Sequence, residues 1–176
     1  VEPIRFDAFD GNTLTQNNKI KPGALGCLMS FFKLLNHIYS DVNHPEVFAI
    51  FEDDVVFHPQ FNIGFNEVLH DLDNLQIDFK LLYLSANNRH NKALPVSSRL
   101  AKLNGSYAAH AIVYKKSFIP HILEQAARMD APWDVYLYHL QQKFECYVVQ
   151  PFLAWQQPGY SNIENNVQNY EFLRHY

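Results

Sequence analysis

The chain holds 176 residues, 48% of them hydrophobic and 18% charged, with a net charge of −4 at pH 7. That length supports one domain with a real core, and this balance excludes a disordered chain. The 14 Lys and Arg residues are scattered rather than striped, which argues against a nucleic-acid partner, and no run of 18 apolar residues exists to span a membrane.

Two cysteines, Cys27 and Cys146, sit in apolar surroundings and read as buried free thiols without zinc spacing. The first residues do not form a signal peptide. Few cysteines and no targeting signal point to the cytoplasm, with peripheral association at the inner membrane face left open.

In chain order, Arg5 to Phe9 alternates weakly and ends in the turn signal Asp10-Gly11. Apolar residues from Ala24 to Tyr39 recur at three and four residues and predict an amphipathic helix. The stretch Val47–Phe57 predicts a buried strand interrupted by acids, and a second helix follows over Phe61, Phe65, Val68, Leu69 and Leu72. Phe79–Leu84 predicts another buried strand, and the polar residues 85–98 a loop. Tyr107–Tyr114 reads as a strand entered through Asn104-Gly105-Ser106. Phe118–Met129 reads as a helix, and a short helix follows Pro132-Trp133-Asp134 to about Lys143. Cys146–Val149 is a last strand, and the tail from Pro158 is read as irregular. Alternating strands and helices predict an α/β layered domain with a mostly parallel sheet, 1–176 forming a single unit.

The informative stretch is Ile50-Phe51-Glu52-Asp53-Asp54. Three acids in a row at the end of an apolar run repel one another and pay for desolvation. A divalent cation relieves both costs. Glu52 and Asp54 are two apart, so in an extended segment they leave on one side while Asp53 points away. Such carboxylates make a hard-oxygen site for Mg²⁺ or Mn²⁺ on a diphosphate. The plainer alternative is a solvated acidic corner.

The sequence resembles glycosyltransferase family 25. Four blocks carry the likeness in order: Arg5-Phe6-Asp7-Ala8-Phe9-Asp10-Gly11; Gly23-Ala24-Leu25-Gly26-Cys27-Leu28-Met29-Ser30; Ile50-Phe51-Glu52-Asp53-Asp54-Val55; and Gly105-Ser106-Tyr107-Ala108-Ala109-His110-Ala111 with Pro132-Trp133-Asp134. Gln157-Pro158-Gly159-Tyr160-Ser161-Asn162-Ile163 looks like a closing block. The resemblance implies a GT-A-like fold and inverting, Mn²⁺-dependent transfer of a hexose, plausibly galactose, from a UDP-sugar to a glycan acceptor such as lipooligosaccharide. It departs from the family in two ways. A first strand and basic pair upstream of Arg5 are absent, which suggests trimming or altered nucleotide binding. Asn162 also stands where an acid is usual.

Under this resemblance Glu52, Asp53 and Asp54 form the metal set and Asp134 is the general base; the alternative for Asp134 is an N-cap for a helix from Val135. Trp133 offers a flat surface for a sugar ring. Gly105, Ser106 and Tyr107 are expected against the donor, where Gly105 allows close backbone approach. Gln156, Gln157 and Ser161 are expected to line the donor pocket, on the resemblance alone. Gly23 and Gly26 suit either a phosphate approach or tight packing, and His110 reads as a buried, satisfied histidine. The rival function is a non-catalytic glycan- or nucleotide-binding domain of the same fold.

Overall fold

The computed structural model describes residues 3–14, 19–87, 93–161, 163 and 166–170. Helix α1 spans Pro22–Ser40 and opens on a proline, whose fixed φ suits the first helical turn. Strand β1 (Val47–Phe51) and β2 (Val55–Phe57) flank the three acids. They are followed by α2 (Phe61–Asn74), β3 (Leu81–Tyr83), β4 (Leu94–Pro95), β5 (Leu100–Lys102) and β6 (Ala111–Lys115). Next come α3 (Ile119–Ala126), α4 (Trp133–Gln141), β7 (Cys146–Val149), β8 (Ala154–Gln156), β9 (Gly159–Ser161) and β10 (Asn166–Gln168).

Six strands form one sheet in the order β1-β6-β3-β7-β5-β4. The expected mostly parallel sheet does not hold. Only β3 with β7 runs parallel, Leu82 opposite Tyr147; the other neighbours are antiparallel. Helical crossovers predict parallel strands only where they join neighbours, and here β6 lies between β1 and β3 and runs against both. Nor is β1 a buried strand. It is the sheet edge, and of its residues only Ile50 is buried.

Alternation along the strands feeds two cores. Leu81, Tyr83, Ile112, Tyr114, Cys146 and Val148 face one side with Leu28, Phe31 and Leu35 of α1, Ile119 and Ile122 of α3, and Trp133 and Leu137 of α4. Leu82, Leu84, Val113, Tyr147 and Val149 face the other side with Val68 and Leu72 of α2. The result is a three-layered α/β arrangement. Two short ladders complete it, β2 with β8 and the hairpin β9–β10 in the tail. Among the described residues, no helix is long and apolar enough to cross a membrane.

Gly26 settles its role by packing. A side-chain carbon there would lie 2.7 Å from both the Gly11 nitrogen and the Phe9 carbonyl oxygen. The segment before α1 therefore rests on the helix backbone itself, and a Ser30 hydroxyl receiving the Phe9 N–H at 2.8 Å fastens it.

Candidate active site

The acids follow β1 in a turn, not in an extended segment. The Val55 N–H returns to the Glu52 carbonyl at 3.3 Å, and the Glu52 N–H donates to the His110 carbonyl at 2.9 Å. Glu52 and Asp54 still converge. The Gln156 amide, from β8, donates to Glu52 Oε2 at 3.2 Å and to Asp54 Oδ2 at 3.3 Å. The β2–β8 ladder places it there, with Val55 opposite Gln156. Asp53 is exposed.

The electrostatics are those of an under-compensated cluster. Glu52 keeps some solvent access at its edge, but its carboxyl group is packed around. Burial first, then the charges of Asp54, Asp134 and Asp53, push it up to about 8. Asp54 is raised by burial and by Asp53, against the Gln156 hydrogen bond. One of its oxygens, Oδ1, is buried without a partner among the described residues.

Asp134 belongs to the same site, since its charge acts on Glu52 and both act on the Cys27 thiol of α1. The N-cap of α4 is Pro132, so Asp134 sits inside the first turn rather than capping it. Burial raises its pKa, against the backbone N–H groups of Ala108 and Val135 that face the carboxylate; the Val135 N–H itself donates to the Pro132 carbonyl at 3.1 Å. A carboxylate in the first turn also gains from the helix dipole. Trp133 does not offer the expected sugar surface. It is buried and stacked on Phe31 with centroids 4.9 Å apart, fixing α4 to α1.

The remaining expected residues are placed unevenly. Gly105 is buried with φ at 102°. Ser106 is buried, and its hydroxyl donates to the Tyr107 carbonyl, so it faces protein. The Tyr107 ring is partly exposed and stacks on Tyr138 at 5.0 Å. The Gln157 N–H donates to the Asp54 carbonyl at 2.8 Å. Ser161 lies on the hairpin, opposite Asn166. Asn162 falls outside the described residues. His110 is buried against Ser85, and burial lowers its pKa to about 4, so the ring is neutral.

Among the described residues, no group of three His, Cys, Asp or Glu side chains is gathered as a ready metal cage. Mg²⁺-like ions need less, for they take one or two carboxylates and fill the rest with water and substrate phosphate. Glu52 and Asp54 suit that role by their convergence on one amide and by the unpartnered Asp54 oxygen. Sequence reasoning missed Gln141. Gln141 stands seven residues after Asp134, on the same helix face.

Comparison with known proteins adds the following. The family model described as glycosyltransferase family 25 (LPS biosynthesis protein) matches residues 5–131. Procollagen galactosyltransferase 1-A of Xenopus laevis is 32% identical over 82 residues, 47% of this chain and 12% of that protein. Procollagen galactosyltransferase 2 of Mus musculus is 28% identical over 89 residues, 48% of this chain and 14% of that protein. The matches thus span well under a quarter of either relative.

Proposed function

Because the chain belongs to glycosyltransferase family 25, we propose that its acidic site transfers a hexose from a UDP-sugar to a glycan hydroxyl with inversion. Residues 1–176 act as one GT-A-like transferase domain in this reading, working in the cytoplasm or at the inner membrane face. Galactose as the sugar follows the names of the relatives, and lipooligosaccharide as acceptor follows the family's description as an LPS biosynthesis protein.

The observation that carries the proposal is the convergence of Glu52 and Asp54, in the turn after β1, on the one Gln156 amide at 3.2 and 3.3 Å, with the charge of Asp134 on α4 also acting on Glu52. Glu52 and Asp54 hold Mn²⁺ or Mg²⁺, with Asp53 adding charge from the rim. When bound, the cation neutralises the diphosphate of the departing UDP. Asp134 takes the proton from the acceptor hydroxyl, whose oxygen attacks the anomeric carbon as the bond to UDP breaks. Burial raises the Asp134 pKa above the ordinary carboxylate value, which makes it a better proton acceptor. Gly105, Tyr107 and the tail residues Gln156 and Ser161 contribute the donor side, Gln156 by orienting the two carboxylates.

The test is UDP release from UDP-galactose with Mn²⁺ and a galactoside acceptor, for the wild type and for Glu52→Gln. Release by the wild type and loss in the variant are expected. UDP binding without any turnover would favour the rival, a non-catalytic binding domain.

A further inference from the structure

Residues 106–110 join Asp134 to Glu52. The Ser106 N–H donates to Gln141 Oε1 at 2.6 Å, and Gln141 Nε2 returns to the Ser106 carbonyl at 3.1 Å. The Tyr107 ring lies on Tyr138. The Ala108 N–H faces the Asp134 carboxylate. The His110 carbonyl receives the Glu52 N–H. The helix partners, Asp134, Tyr138 and Gln141, are spaced by four and three residues, which is one face of α4. The segment therefore runs antiparallel along that face, with 106 against 141, 107 against 138 and 108 against 134, and then crosses to β1.

Its backbone is held against its own preference. Ala108 adopts φ of 75°, a region costing a non-glycine residue about 1 kcal/mol or more. Such a conformation persists only where surrounding contacts over-determine it. Gln141 supplies the firmest of them. It is buried, and besides Ser106 its amide reaches the Tyr83 hydroxyl at 2.7 Å, which ties α4 and the segment to the central strand β3. The buried Gln141 side chain is thus spent wholly on this one junction, while the buried Ser106 hydroxyl donates to the Tyr107 carbonyl within the segment.

We propose that residues 106–110 form a strap that sets Asp134 against Glu52, and that Gln141 is its positioning residue. This rests on the roles given above to Asp134 and Glu52. Removing the Gln141 amide leaves the Ser106 N–H and carbonyl buried and unpaired. The strap then shifts, and with it the Ala108 N–H that faces the base. Misplacement by about 1 Å costs on the order of 10²-fold in rate.

The experiment uses the full chain and two readouts. By NMR, Gln141→Met is expected to shift the Ala108 amide resonance and speed its hydrogen exchange, as Asp134→Asn should by direct contact. An Ala108 amide unchanged in Gln141→Met overturns the strap, whatever the enzyme does. By kinetics with UDP-galactose and methyl β-galactoside, kcat is expected to fall about 10- to 100-fold, with acceptor KM and UDP affinity near wild type. Unchanged kcat overturns the positioning role. Tyr83→Phe serves if Gln141→Met does not fold, since it removes only the second partner of Gln141. A smaller kcat loss and Ala108 shift are expected there, and a drop in Tm with neither would overturn the proposal. A wild type without transfer would defeat the reading of Asp134 as base, while the Ala108 amide would still decide the strap.

Discussion

Glu52 and Asp54 share one hydrogen-bond donor, the amide of Gln156, at 3.2 and 3.3 Å. A single neutral amide cannot neutralise two carboxylates, and Glu52 is pushed up to about 8, first by burial and then by the charges of Asp54, Asp134 and Asp53.

The first prediction concerns pH and stability. A folded-state pKa above the unfolded value means that the folded chain keeps a proton which the unfolded chain releases. Stability from Glu52 therefore falls as pH rises from about 4.5 to about 8 and levels off above that. Asp54 and Asp134 are shifted in the same direction. Without added metal, Tm should decline across this window, and Glu52→Gln should flatten the decline and be the more stable protein at pH 8. Parallel Tm curves for the two proteins would show that Glu52 is not desolvated as described.

Asp134→Asn should cut transfer by about 10² to 10⁴ while UDP and Mn²⁺ binding stay near normal. The Val135 N–H keeps its bond to the Pro132 carbonyl, so the helix start survives. Near wild-type transfer in this variant would move the base elsewhere.

Gly26→Ala should destabilise the fold by about 1–3 kcal/mol, because the new carbon meets backbone at Phe9 and Gly11 that cannot swing aside. Limited proteolysis should cut before α1 in the variant first. An unchanged Tm would mean that the 9–11 segment is not seated on α1.

Much of this fold is legible in the sequence where periodicity is strong. The helix expected over Ala24–Tyr39 is Pro22–Ser40, the strand at Cys146–Val149 has those ends, and the apolar run at Phe79–Leu84 contains β3. Sheet direction is not legible, because it depends on which strand lies beside which, and β6 inserts between β1 and β3. The strands β5 and β8 and the tail hairpin are three-residue pieces, too short to show a period. At the site, the pairing of Glu52 with Asp54 is legible from their spacing, although a turn rather than a strand brings it about. The order of Pro132, Trp133 and Asp134 located the candidate base but misread Trp133, whose stacking on Phe31 comes from another helix. Gln141 carries no local signal. Its role appears only once the 106–110 segment is laid along α4.

The central claim is that Glu52 and Asp54 hold a divalent cation on the diphosphate of a nucleotide sugar. Calorimetry of UDP binding, in Mn²⁺ and in EDTA, tests it most directly. Because the cation bridges carboxylates and diphosphate, each ligand should strengthen the other, with UDP binding about 10-fold or more tighter in Mn²⁺. Glu52→Gln should abolish that difference. Equal UDP affinity in Mn²⁺ and in EDTA would contradict the account.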